Sequence, residues 1–254
     1  MRELPEGQGS YGCIVSYEKY KCLGDSDHPR NPMISKIMTD LEAFETELYM
    51  AEILKKLDPH QHNLIYAKNG CQIPNSEMLP CKGDYFDPFA KEIYVITMKS
   101  GGISIESFVD DLVNRKVKIH LPTTLHVIND ILHGLSLLHQ NGITHGDISP
   151  KNVTIASIPD SNDMKRAYII DFGLSYDKTD GSTHITMNKD IENAFEIFRI
   201  LFYNTKTTDD ERHYYKRYFE TPKNITSLPT LEQIKTMFDP PVNRDTSVAR
   251  ALFG

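Results

Sequence analysis

The chain has 254 residues, of which 39% are apolar and 25% charged, enough to bury a core in one large domain or two small lobes. A net charge of -7 and an isoelectric point near 5.8 exclude a general attraction to nucleic acid or to an acidic membrane surface. No apolar run approaches a membrane span, and Met1 to Glu6 lacks the apolar core of a signal peptide, so a cytoplasmic protein is expected. The four cysteines, Cys13, Cys22, Cys71 and Cys81, include no Cys-x-x-Cys pair. Reduced thiols are the expectation, with a zinc site shared with His28, His60 and His62 as the alternative.

Residues 7–39 read as a glycine-rich hairpin, a polar loop around residues 24–29 and a strand at Met33 to Met38. Leu41, Phe44, Leu48, Ala51, Leu54 and Leu57 recur at three- and four-residue spacing, which predicts an amphipathic helix over 40–57, stopped by Asp58 and Pro59. Residues 68–92, rich in Pro, Gly, Asn and Asp, read as a long loop. Lys91 to Met98 has the composition of a strand, and Ser100, Gly101 and Gly102 then break the pattern. Beyond them the chain turns helical. Leu125, Ile128, Ile131, Leu132, Leu135 and Leu138 mark a helix over 122–140 with Gly142 as its stop signal. Short apolar stretches follow at 153–155 and 167–170, then a helix at 188–203, then helical pieces broken by Pro222, Pro229, Pro240 and Pro241.

The chemistry concentrates in two places. One is His145-Gly146-Asp147-Ile148-Ser149-Pro150-Lys151-Asn152; the other is Asp171-Phe172-Gly173 after an apolar strand. Phosphoryl transfer needs charge neutralisation on the phosphates, metal ligands and an acceptor for the incoming hydroxyl's proton. Magnesium takes oxygen ligands, which Asp and Asn supply. The spacing of Asp147, Asn152 and Asp171 matches the catalytic loop and the Asp-Phe-Gly motif of kinases.

On these residues the chain resembles the protein kinase family over most of its length. The resemblance implies an α+β, bilobal protein-kinase-like fold, with a strand-rich N-lobe holding one helix (1–99) and a mainly helical C-lobe (100–254). Gly7, Gly9, Ser10, Tyr11, Gly12 and Ile14 resemble the glycine-rich lid over the ATP phosphates. Lys36 resembles the strand lysine that holds the α- and β-phosphates, with Ile34 beside it, and Ile96, Thr97, Met98 and Lys99 resemble the hinge that meets adenine. The resemblance makes Asp147 the catalytic base, Asn152 and Asp171 the ligands of Mg2+ or Mn2+, and Asp190 the aspartate that steadies the catalytic loop. Tyr11 to Cys13, Cys22, Ile34 to Met38 and Leu57 to Pro59 look like the small kinases encoded by large DNA viruses of eukaryotes. That likeness implies host cytoplasm or the virion as location. The implied partners are ATP and a protein substrate with a Ser or Thr hydroxyl; nucleic acid and membrane are not expected.

For the partner of Lys36, Glu47 falls inside the apolar stripe of the 40–57 helix, where a carboxylate is costly without a cation, whereas common kinase spacing from Leu57 points to Met50. Lys151 takes the place of the cation expected at Ser149, and is read as neutralising the transferring phosphate, with a surface lysine as the alternative. Three features depart from the family pattern. Gly146 stands where an arginine usually receives an activation-loop phosphate, which predicts activity independent of phosphorylation at Thr179, Ser182, Thr183 or Thr186. The stretch from Asp171 to Asp190 is short and contains no Ala-Pro-Glu. Only six residues precede Gly7, one of them Pro5, so a short first lid strand and modest nucleotide affinity are expected. His-Gly-Asp also occurs in small-molecule kinases of the aminoglycoside and choline type, and Asp171-Phe172-Gly173-Leu174-Ser175 resembles Bud32-type atypical kinases. A small-molecule kinase and a nucleotide-binding pseudokinase therefore stand as alternative readings.

Overall fold

The computed structural model describes residues 7–8, 12–25, 32–75, 78–79, 81, 86–158, 164–177 and 183–209. Its first half is an antiparallel sheet of β1 (Gly7–Gln8), β2 (Gly12–Ser16), β3 (Met33–Met38), β4 (Asn69–Pro74) and β5 (Glu92–Lys99), in the spatial order β1-β2-β3-β5-β4. The helix α1 (Leu41–Leu57) crosses it between β3 and β4. Asp40 caps α1 by accepting the Ala43 amide at 2.7 Å, which satisfies one of the orphan donors of the first turn. At the other end Asp58 does more than stop the helix. Its buried carboxylate accepts the backbone amides of His62, Asn63 and Leu64 at 2.9, 2.9 and 3.0 Å, and so shapes the turn that leads into β4.

The second half holds α2 (Ile105–Arg115), α3 (Leu121–Gln140) and α4 (Thr183–Tyr203) around small sheets. The β9–β10 hairpin (Val153–Ser157 and Lys165–Ile169) lies against β6 (Ile103–Ser104). A second pairing joins β8 (Ile143–Thr144) to β11 (Tyr176–Asp177), and a third, parallel, joins β7 (Ile119–His120) to β12 (Thr205–Lys206). The main core runs from Met50, Ala51 and Leu54 of α1 through Leu64 to Ile128, Ile131 and Leu135 of α3 and Ile197 and Phe198 of α4. It therefore joins both halves around Phe172. This is the α+β kinase-like arrangement expected from the resemblance.

Four readings of the sequence are corrected. The stretch 68–92, read as loop, contains β4. Asn69, Gly70 and Pro74 are poor strand formers, but β4 is an edge strand, where β5 alone sets the pairing and Pro74 at its end removes no needed donor. Within the stretch after Gly102, read only as helical, α2 stands as a separate helix, and α4 begins at Thr183 rather than 188. The largest correction concerns the cysteines. Cys13 pairs with Cys81 and Cys22 with Cys71 as disulfides, with Cα atoms 5.6 and 5.7 Å apart, so the thiols are not reduced. Nor do they form a zinc site. Cys13, Ile37, Val95 and Cys71 lie in register across β2, β3, β5 and β4, which separates Cys13 from Cys71 by roughly 14 Å at ordinary strand spacing. Among the described residues no group of three or more His, Cys, Asp or Glu is placed to hold a metal; His28 lies outside them.

Candidate active site

The strand β3 aims Lys36 into the space between the two halves. Its ammonium is bonded to Glu47 of α1 and lies 2.8 Å from Asp171 Oδ1. Both Lys36 and Glu47 are buried. Glu47 is thus the α1 carboxylate that meets the lysine, while Met50 is fully buried in the apolar core. Burial opposes the charge on Lys36, but Asp171 and Glu47 reverse the balance and raise its pKa above the ordinary value. Burial pushes Glu47 up to about 7, against the pull of Lys36 and together with the repulsion of Asp171. Asp171 is the carboxylate that wins. Burial disfavours its ionised form, yet Lys36 outweighs this and holds it below the usual range. One lysine between two carboxylates cannot satisfy both equally, and Asp171 keeps its charge more readily.

The backbone brings the other groups to the same place. In the β9–β10 hairpin Val153 pairs with Ile169, and the Ile170 amide donates to the Asn152 carbonyl at 3.0 Å. Asn152 and Asp171 are therefore carried side by side by the end of one hairpin. Asp171 adopts a φ of 65°, in the left-handed region that an aspartate enters only at a cost. Its side chain is about a third exposed, at 36%.

Asp190 of α4 holds the loop that carries Asp147. Its buried carboxylate accepts the His145 amide at 2.8 Å on Oδ2 and the Gly146 amide at 3.0 Å on Oδ1. His139 Nε2 meets the same Oδ2 at 3.1 Å. His145 is neutral by its own bonding. Its Nε2 lies 3.0 Å from the Ile170 carbonyl, which can only accept, so Nε2 carries the proton. The unprotonated Nδ1 then accepts the Asp147 amide at 3.2 Å. Burial, the largest influence on this imidazole, lowers its pKa in the same sense. Ser175 donates to the His145 carbonyl at 2.9 Å and ties the loop to the segment after Asp171. Asp147 itself remains exposed and accepts Asn152 Nδ2 at 2.7 Å on its carboxylate and 2.9 Å on its carbonyl.

The remaining expected residues fall as follows. Ile14, Lys36 and Ile96 are in register across β2, β3 and β5, as are Ile34 and Met98. Met98 lines a void of about 10 Å³ with Glu47, Ile65, Tyr66, Ala67, Asp171 and Phe172. Ile96, Thr97, Met98 and Lys99 all belong to β5, which runs to Lys99, and the chain leaves the strand at Ser100. Lys151 is exposed, next to Asn152. Gly7 and Gly12 lie in β1 and β2; Gly9, Ser10 and Tyr11 are outside the described residues, as are Thr179, Ser182 and residues 210–254. Gly12 is needed for space, because a Cβ there would stand 2.3 Å from the Ile37 carbonyl oxygen.

Sequence reasoning missed His139, whose contact to Asp190 had no signal beyond a position in the last turn of α3. It also missed the backbone role of Gly146. That residue has a φ of 83°, and a Cβ would lie 2.6 Å from the Leu174 carbonyl oxygen. Gly146 is therefore not only the loss of an arginine; the loop geometry requires glycine.

Comparison with known proteins gives a consistent picture. The model of the protein kinase domain matches residues 7–195. Over 73 residues, 28% of this chain and 2% of the relative, the chain is 37% identical to eukaryotic translation initiation factor 2-alpha kinase 2 of Plasmodium berghei (strain Anka). It is 32% identical over 80 residues to the probable serine/threonine-protein kinase FPV226 of Fowlpox virus (strain NVSL), covering 31% of this chain and 25% of that protein. It is 27% identical over 128 residues to the probable serine/threonine-protein kinase irlD of Dictyostelium discoideum, 44% of this chain and 8% of the relative. The chain thus spans a quarter or less of the length of these three relatives.

Proposed function

We propose, from the premise that the chain belongs to the protein kinase family, that it transfers the γ-phosphate of ATP to a serine or threonine hydroxyl of a protein. The observation that carries this reading is the Lys36 ammonium held between Glu47 and Asp171. A buried cation fixed beside an ionised carboxylate, between a sheet and a helical body, suits a polyphosphate with its metal. The names of the relatives from Fowlpox virus and Dictyostelium discoideum support serine or threonine as the acceptor.

In this reading Asp147 orients the incoming hydroxyl and accepts its proton, for which its exposure is needed. Lys36, oriented by Glu47, anchors the nucleotide phosphates, and β1 and β2 carry the lid over them. Lys151 faces the charge that develops on the transferred group. In this reading the described residues within 1–99 belong to the nucleotide-lid lobe and those within 100–254 to the lobe with the catalytic loop. The donor set fits magnesium or manganese. The nitrogen of the Asn152 amide is committed to Asp147, which leaves its oxygen as the donor for a hard cation, and Asp171 adds an ionised carboxylate. Such an ion, bound with the nucleotide phosphates, supplies neutralisation of their charge. Among the described residues no helix is long and apolar enough to cross a membrane.

A second reading is favoured by one feature of the sequence. No Ala-Pro-Glu stands between Gly173 and Asp190, the segment that builds the peptide shelf in protein kinases. A small-molecule acceptor on the same scaffold would explain this. Radiolabelled ATP with magnesium or manganese separates the readings, using the protein alone, a generic protein substrate and a panel of small acceptors, with Asp147→Asn as control. Labelled protein that disappears in the variant supports the protein kinase. Label on a small acceptor only supports the second reading, and nucleotide binding without any transfer supports a pseudokinase.

A further inference from the structure

The four cysteines lie on the side of the five-stranded sheet that faces away from Lys36. Successive residues of a strand face opposite sides. Ile14, Lys36 and Ile96 therefore share the cleft face, and Cys13, Ile37, Val95 and Cys71, one step along in register, share the outer face. This outer face is covered. Leu79, Cys81 and Phe86, from the connection between β4 and β5, are buried in one apolar cluster with Cys13, Val15, Tyr20, Cys22, Ile37, Ile93 and Val95. The Cys13–Cys81 bridge ties that cover to β2 across a sequence separation of 68 residues. The Cys22–Cys71 bridge ties the segment after β2 to the edge strand β4.

We propose that the Cys13–Cys81 disulfide is a tether that positions the nucleotide lid, so that the oxidised chain is the form competent to bind nucleotide, and that Cys22–Cys71 only staples the sheet. This rests on the reading of the cleft as an ATP site. Cys13 directly follows Gly12 and precedes Ile14, so it is a positioning residue on the lid strand itself. A Cβ on Gly12 would stand 2.3 Å from the Ile37 carbonyl oxygen, so β2 runs tightly against β3 directly beside Cys13. Among the described residues β1 alone pairs with the outer edge of β2. A bridge to the outer cover fixes β2 before nucleotide arrives, and less ordering is left to be done on binding. Cys22 and Cys71 are remote from the glycine-rich turn, at the β4 side of the same row.

The chemistry balances with a small disulfide, such as oxidised glutathione, as oxidant. The thiolate of one cysteine attacks it and releases one small thiolate. The thiolate of the second cysteine then displaces the other. Two protein thiols and one small disulfide become one protein disulfide and two small thiols, with two electrons passed to the oxidant. Cys13 and Cys81 are each 1% exposed, so once folded this bridge resists exchange, whereas Cys71 is half-buried and leaves the second bridge open to attack. Such bridges are rare in reducing compartments. The nucleotide affinity of the chain is therefore set by the redox conditions under which it folded.

The test uses the full chain folded under oxidising conditions, with two double variants, Cys13→Ser with Cys81→Ser and Cys22→Ser with Cys71→Ser. Alkylation under denaturing conditions, read by mass, counts the free thiols, and titration with magnesium ATP gives the affinity. The wild type is expected to show no free thiols. The 13/81 variant is expected to bind ATP on the order of tenfold more weakly, with KM raised more than kcat is lowered. The 22/71 variant is expected to keep the wild-type affinity while unfolding at a lower temperature. Wild-type affinity in the 13/81 variant, or equal loss in both variants, overturns the tether. Should the 13/81 variant fail to fold, graded phosphine reduction of the wild type replaces it, and affinity independent of the Cys13–Cys81 thiol count overturns the proposal. If the fully oxidised wild type binds no nucleotide, the kinase reading falls and takes the tether with it, whereas free Cys13 and Cys81 thiols in a chain that binds ATP overturn the tether alone.

Discussion

Asn152 Nδ2 donates to both the carboxylate and the backbone carbonyl of Asp147, at 2.7 and 2.9 Å. One side chain thereby holds the group assigned to the hydroxyl through its nitrogen, which leaves its oxygen as the donor assigned to the metal. The two roles are coupled. A change at Asn152 releases Asp147 as well as removing a donor, so an effect of Asn152→Ala on transfer cannot be divided into a metal part and a base part.

Replacing Lys36 with Met strips Glu47 and Asp171 of their shared cation. Glu47, already pushed up to about 7, is then expected to hold a proton at neutral pH. Phosphate transfer should fall by about 10²–10³-fold, as for loss of a group that meets developing charge. A filter-binding assay of labelled protein substrate reads the effect.

Lys151→Met tests the cation that follows Ser149. The lysine is exposed; if, as proposed, it meets the phosphate only as charge moves, turnover is expected to fall about tenfold or more while ATP affinity changes little. Steady-state kinetics beside a direct binding titration separates the two. Unchanged turnover would make Lys151 a surface lysine.

Gly146→Ala places a side chain on a residue with a φ of 83° and against the Leu174 carbonyl. A cost of about 1–3 kcal/mol in unfolding free energy is expected, seen as a lower thermal midpoint. The same geometry means that an arginine at this position would not restore a phosphate reader without moving the loop. Treatment of the wild type with phosphatase should leave its activity in place.

Asp130 offers a pH test away from the proposed metal ligands. It is buried on α3 and accepts the Ala167 amide at 3.0 Å. Burial raises its pKa above 3.8, against the opposing effects of that amide and of His126, Arg166 and His133. The folded chain therefore binds this proton more tightly than the unfolded chain. The contribution of Asp130 to stability is largest below about 3.9 and is lost as pH rises through the elevated folded value. Asp130→Asn, which keeps the acceptor oxygen, should gain stability relative to wild type across that rise. Denaturant midpoints measured from pH 4 to 7 check the sign; a constant difference would contradict it.

The strongly periodic segments were legible from sequence. The stripes of α1 and α3 form where the apolar spacing puts them, and β3 and β5 form where turn signals and composition put strands. Glu47 was legible for the same reason, because a carboxylate inside an apolar stripe needs a cation. What stayed hidden depends on partners distant in the chain. β4 is a strand only because β5 supplies its hydrogen bonds, and its own composition argues for a loop. The disulfides join β2 to the connection between β4 and β5, and the segment after β2 to β4, pairings which cysteine spacing does not encode. Gly146 looked like a missing arginine because its φ and the nearby Leu174 carbonyl are invisible in a string of letters.

We propose that Asp147 serves transfer of the ATP γ-phosphate to a protein hydroxyl. This role is tested most directly by incubating the oxidised wild type and Asp147→Asn with γ-labelled ATP, magnesium and a generic protein substrate, and counting label bound to protein. Labelled serine or threonine is expected with the wild type, and loss of that label in a variant that still binds ATP. Equal labelling by the two proteins would contradict it.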